Sequence, residues 1–295
     1  ATRESGFTLI ELSIVLVIIG LIVGGVLVGQ NLIQAAQIRA TLTQIEHFNT
    51  EVNTFRTKYN GIPGDLSASL AGSYGLFQLT TAGTGMGDGN GIIEDGNGGA
   101  GGANKNTFAG EISTFWRQLS DANLVEGSFG SVANALLKAA SGVPTGVIPD
   151  TTSGTLLSMA VPVAKLGSGL GFDVFSGNGF NYYALLPITS ISASGVITVG
   201  TAGISPITAT NMDTKVDDGE PNTGIVRALA LGVAPIAPSS ANTLFSPYGM
   251  TAPSVAATAT VGDCTIGTGI ATDTYNLNQN LGGNSGSCGL AFRFN

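Results

Sequence analysis

Histidine, cysteine and charge are all scarce in this 295-residue chain, and each scarcity removes a class of chemistry. The only histidine is His47, so a Ser-His-Asp triad or a Cys-His pair has no imidazole to draw on in the C-terminal part. The two cysteines, Cys264 and Cys288, fall in no Cys-x-x-Cys or Cys/His spacing, which argues against zinc. Only 10% of residues are charged, and the imbalance is local: residues 1–59 carry four basic and four acidic groups, residues 60–295 seven and fifteen. The net charge of −8 therefore belongs to the C-terminal part. Such a surface repels phosphate backbones, so nucleic-acid binding is not its expected role. The glycine-rich stretch lacks GxxxxGK[ST] and neither follows a strand nor opens a helix, so it is no phosphate cradle. No pairing of carboxylates is selected by spacing either, and an enzyme is not expected.

Long apolar runs are equally rare, with one exception at the N-terminus. No charged residue lies between Glu11 and Arg39, and residues 14–28 are almost wholly aliphatic with glycines. As a helix, residues 7–29 would span roughly 35 Å at about 1.5 Å per residue, enough to cross a bilayer. Beyond it Ile38, Leu42, Ile45, Phe48, Val52, Phe55 and Tyr59 recur at steps of three and four. One long helix is predicted, apolar all round in its first half and amphipathic in its second. Asn60-Gly-Ile-Pro-Gly-Asp should end it by Tyr59, and His47 falls beside its apolar stripe as a solvated position.

The remainder reads as a loop-rich head. The chain holds 44 glycines, with the extreme at GTGMGDGNGIIEDGNGGAGGANKN. A helix is predicted over 110–125, with Trp116 as its core anchor. The stretches LLSMAVPVAKL, FNYYALLPI, GVITVG, IVRALALGV and GLAFRFN read as strands of an antiparallel sheet, since no regular helices connect them. The predicted class is α+β: a long N-terminal helix, then a globular head with an antiparallel sheet and long Gly-rich loops.

Two acidic turns and the cysteine pair are the remaining candidates. In DGNGIIED, Asp88, Asn90 and Glu94 offer oxygen ligands at alternating positions among glycines, which suits calcium; a solvated Asp-Gly turn is the alternative. Asp213, Asp217 and Asp218 in MDTKVDDGEPNTG read first as a structural turn. In an exported protein Cys264 and Cys288 would form one disulfide, worth roughly 3 kcal/mol; in a cytosolic one they would be two thiols.

Glu11 is the feature that neither a signal peptide nor a plain anchor explains. A signal peptide would carry small residues at a cleavage site after its apolar run, whereas here the helix continues. An ionisable group in such a segment needs a named partner. With its aliphatic continuation, GFTLIEL resembles the N-terminus of type IV pilins and of type II secretion pseudopilins. FRTKYNGIPGDL, GDGNGIIE, FWRQLSDANLVEG and KVDDGEPNTG resemble stretches after the stem in pilin-like proteins.

That resemblance implies cleavage by a prepilin peptidase between Gly6 and Phe7, with N-methylation at Phe7. It divides the chain into a leader (1–6), a stem helix (7–59, with 7–29 the membrane and filament-core segment) and an acidic head (60–295). It implies that the Glu11 carboxylate meets the Phe7 amine of a neighbouring subunit, setting axial register. It also implies that Cys264 and Cys288 form the disulfide that borders a surface loop in many pilins. The stem departs from many pilins in having no proline late in its apolar half; Gly20, Gly24, Gly25 and Gly29 could permit the same local loss of helix.

The expected function is a structural subunit of a type IV pilus, polymerised as a homo-oligomeric helical filament by separate assembly machinery. A secretion pseudopilin or minor pilin is the alternative, and a membrane-anchored adhesive protein that never polymerises is a third reading. The disulfide leans toward pilin and a calcium loop toward pseudopilin. No cofactor is required on this reading, calcium aside. The subunit would sit in the inner membrane as precursor, then in an extracellular filament or a periplasmic pseudopilus.

Overall fold

The computed structural model describes residues 8–77, 87–93, 108, 110–129, 158, 160–167, 169–177, 179–191, 197–200, 203–230, 264–266, 274–277 and 288–294. In chain order these form α1 (Leu9–Tyr59), α2 (Ala68–Ser73), α3 (Gly110–Asp121), β1 (Gly171–Gly177), β2 (Phe180–Leu186), β3 (Ile188–Ile191) and β4 (Ile197–Val199). Then come α4 (Pro206–Val216), β5 (Val226–Ala230), β6 (Thr265–Ile266), β7 (Thr274–Tyr275) and β8 (Cys288–Phe294).

The stem α1 is a single helix of 51 residues. It ends where Asn60 adopts a left-handed φ of 56° and returns its N–H to the Arg56 carbonyl, as the Asn-Gly-Ile-Pro-Gly run requires. Its two halves face different surroundings. Leu9, Leu21 and Leu32 are 87%, 72% and 66% exposed, while Ile38, Ile45, Phe48, Val52, Phe55 and Tyr59 are buried against the head. The apolar half has a mean hydropathy of 2.9 and no burial, and it is long enough to cross a membrane.

The head is built on a four-stranded antiparallel sheet of order β1-β2-β8-β5. The register aligns Val174, Tyr183, Phe292 and Val226 across all four strands. Strand alternation puts these on one face, and α1 and α3 pack onto it. Phe48 of the stem meets Trp116 of α3 at 4.8 Å, Phe172 at 5.2 Å and Tyr183 at 5.7 Å between ring centroids. Phe115 adds Phe294 at 5.6 Å. Each such buried ring is worth roughly 1.5–3 kcal/mol of burial, so the head is moulded around the stem rather than tethered to it.

Several strand expectations meet their elements: FNYYALLPI supplies β2 and the start of β3, GVITVG holds β4, IVRALALGV holds β5 and GLAFRFN supplies β8 as far as Phe294. LLSMAVPVAKL does not make a strand in its described residues. Val163 forms one isolated bridge to Gly171, because Pro162 offers no N–H and the chain turns so that Ala164 bonds Leu170. Strand β1 and helix α4 are additions to the sequence reading. Residues 206–216 have little apolar periodicity, and their helix is announced by Ser205, whose hydroxyl accepts the Thr208 N–H, with Pro206 at the first turn. The α3 helix ends at Asp121, short of the expected 125.

Candidate functional site

The stem begins with a capping box. Thr8 Oγ1 accepts the Glu11 N–H at 3.3 Å, and Glu11 Oε2 accepts the Thr8 N–H at 2.8 Å and its hydroxyl at 2.7 Å. The helix N-terminus favours a carboxylate there, and Thr8 holds it at the rim of the first turn. Thr8-Leu9-Ile10-Glu11 is thus a Thr-x-x-Glu capping signature, legible in the sequence but overshadowed there by the apolar run that follows. Gly6 and Phe7 lie outside the described residues.

A second assembly of acids sits where the chain leaves the stem. Gly64 has a φ of +87°, and a Cβ there would lie 2.5 Å from the Glu111 carbonyl oxygen, so only glycine lets this turn touch the start of α3. Gln118 of α3 fixes the approach, accepting the Gly64 N–H at 2.7 Å and donating to the Phe77 carbonyl at 3.0 Å. Asp65 follows directly, 2% exposed, and its two oxygens accept the Gly89 and Gly91 N–H groups at 2.8 and 2.7 Å. Asn181, at the start of β2, clamps the same loop by accepting the Ile93 N–H and donating to the Gly91 carbonyl.

These contacts bring one oxygen each of Asp65, Asp88 and Glu111 within 4.8 Å of one another. Burial pushes the Asp65 carboxyl up to about 6, the Gly91 and Gly89 N–H bonds oppose it, and the Asp88 charge adds to it. Three carboxylates at this spacing offer oxygens of the hard kind that calcium takes. Of the expected set Asp88, Asn90 and Glu94, Asp88 is here. The Asn90 side chain instead completes an Asx turn, its Oδ1 accepting the Ile92 N–H at 2.6 Å. Glu94 lies outside the described residues. Asp65 and Glu111 escaped the sequence reading because they are distant in the chain and joined only by the Gly64 turn.

The other acidic turn also draws its oxygens together, since Asp213, Asp217 and Asp218 lie within 4.8 Å. Here the hydrogen bonds describe a joint between α4 and β5. Asp213 is fully buried and accepts the Tyr275 hydroxyl at 2.7 Å, tying β7 to α4. Asp217 accepts the Ile225 and Val226 N–H groups, and Asp218 accepts the Glu220 N–H and the Thr223 hydroxyl. Burial pushes Asp213 up to about 6, against the opposing Tyr275 hydrogen bond. His47 is exposed on α1 and Trp116 is buried in the core, as their spacing suggested.

Cys264 and Cys288 are joined in a disulfide, with Cα atoms 5.0 Å apart. It anchors the segment before β6 to the first residue of the central strand β8.

Residues 1–27 match the family described as the prokaryotic N-terminal methylation motif. The chain therefore carries the signature of type IV pilins and pseudopilins, on an apolar helix that opens with a capped glutamate. No curated protein and no solved structure matches it.

Proposed function

We propose that this protein is a structural subunit of a type IV pilus, held in the inner membrane by the apolar half of α1 and polymerised through it. The observation that carries the reading is Glu11, a carboxylate at the capped start of the exposed apolar half of α1, within the methylation motif. Cleavage between Gly6 and Phe7 would free an amine next to it, and methylation would leave that amine able to carry its charge. In a filament core the Glu11 of one subunit would pair with the Phe7 amine of another. An unpaired carboxylate in such dry surroundings is costly, so the pair selects one axial register. Stem-to-stem apolar contact supplies the cohesion. Calcium at the Asp88 loop, beside Asp65 and Glu111, is a further part of this proposal.

Replacing Glu11 with Ala tests it. Filaments sheared from cells expressing Glu11→Ala should be lost or strongly reduced while the subunit stays in the membrane. Normal filament yield would instead favour the anchored adhesive reading. Mass spectrometry of wild-type sheared material separates the finer readings: a dominant species starting at methylated Phe7 marks a major pilin. Its absence from the sheared fraction favours a pseudopilin or minor subunit.

A further inference from the structure

The stem sends one acid into its contact with the head. Phe48 and Phe55 are buried, and Glu51 lies on the same side of α1, three residues after one and four before the other. Its Oε2 is shut off from solvent and has no hydrogen-bond partner. Two donors in the same packing layer share that condition: Trp116 Nε1 on α3 and the Tyr183 hydroxyl on β2 are buried and unpaired. The layer is continuous, with Phe48 4.8 Å from Trp116, and Trp116 and Tyr183 stacked at 6.1 Å. Buried polar groups are nearly always satisfied, and each one left without a partner is destabilising. Three of them in one joint therefore mark a place where the native arrangement is poised rather than closed.

Among the described residues, the groups around Glu51 give no counter-charge. Glu126, in the segment after α3, repels it, and Tyr183 on β2 feels its charge in turn. The α3, β1 and β8 elements meet this layer with Trp116, Phe115, Phe172 and Phe294, and on α1 itself exposed His47 stands one turn earlier.

We propose that Glu51 is a protonation switch in the joint between stem and head: neutral, its carboxyl seats in the Trp116–Tyr183 layer; ionised, it releases its proton to solvent, draws water into the layer and loosens the docking of the head on α1. Burial first, and the Glu126 charge second, push Glu51 up to about 7. A proton held more tightly in the docked state than in the free chain favours docking on the acid side. That advantage is full below the ordinary glutamate value and is lost as pH rises through about 7. The switch belongs to the single subunit, whether or not the protein polymerises.

Trp116 is the only tryptophan, so its fluorescence reads this layer alone. In the full chain in detergent micelles, titrated from about pH 4 to about pH 9 to span both values, its emission should shift to the red and its quenching by acrylamide should rise, with a midpoint near neutrality. Glu51→Gln should hold the acid-side spectrum throughout. Glu126→Gln, at an exposed position, should move the midpoint to lower pH by removing the repulsion, and it keeps the proposal testable if the first variant fails to fold. His47→Gln should leave the transition in place. A wild-type profile in Glu51→Gln, an unmoved midpoint in Glu126→Gln, or a transition lost in His47→Gln would each overturn the switch.

Discussion

Asp65 is held by two backbone N–H groups and penalised by everything else around it. Its burial and the Asp88 charge oppose ionisation, while the Gly89 and Gly91 donors favour it. A divalent cation bound by Asp65, Asp88 and Glu111 would reverse the balance, because the ion's charge outweighs the mutual repulsion of its ligands. The expected outcome is a rise in melting temperature when millimolar calcium is added to the wild-type protein, with the rise absent in Asp88→Ala. A melting temperature indifferent to calcium would return the loop to a solvated turn. Asp88 itself was legible, since Asp-Gly-Asn-Gly is a turn with oxygens at alternating positions. Its neighbours were not, because proximity across a fold leaves no trace in linear spacing.

Among the elements, β8 has the most consequential position. Among the described strands it comes last in sequence, yet it pairs with β2 on one side and β5 on the other. The sheet is therefore incomplete until the C-terminal residues are in place. The disulfide reinforces this point by tying Cys288, at the head of β8, to a residue 24 positions earlier. Closing a loop of that length restricts the unfolded chain by about 3 kcal/mol on the chain-entropy estimate. Replacing both cysteines by alanine should lower the unfolding free energy of the head by about that amount, read from the denaturant midpoint at unchanged slope. A change below a few tenths of a kcal/mol would mean that β8 is held by its ladders alone. The apolar alternation of GLAFRFN announced a strand; its place between β2 and β5 depends on pairings that many short strands could make equally well.

At the scale of the whole molecule, a stem with an exposed apolar half carries an acidic head, and three enclosed acids, one on the stem and two in the head, resist ionisation. Glu51 is pushed up to about 7, and Asp65 and Asp213 to about 6, in each case by burial first. All three folded values lie above the ordinary carboxylate range, so the folded state binds these protons more tightly than the unfolded chain does. Their contribution is fully present below about pH 4 and is lost as pH rises through about 6 to 7. In calcium-free buffer the denaturant midpoint should therefore fall between about pH 5 and about pH 8, where proteins dominated by paired carboxylates hold steady or gain. A midpoint that rises over that interval would show that the hydrogen bonds to these acids outweigh their burial.

The stem was determined by local chemistry. Its length, its division into an apolar and an amphipathic half and its end at Tyr59 follow from helical periodicity and from the Asn60-Gly-Ile-Pro-Gly stop, which act within a few residues of one another. The methylation motif with Glu11 is likewise contiguous. What only the tertiary structure decided are the things that distant residues make together: the β1-β2-β8-β5 order, the meeting of Asp65, Asp88 and Glu111, and the burial of Glu51 Oε2 where its charge reaches Tyr183. The reason is physical. A helix and its caps are satisfied by neighbours in the chain, whereas a sheet order and a buried charge are settled by which distant surfaces exclude water together.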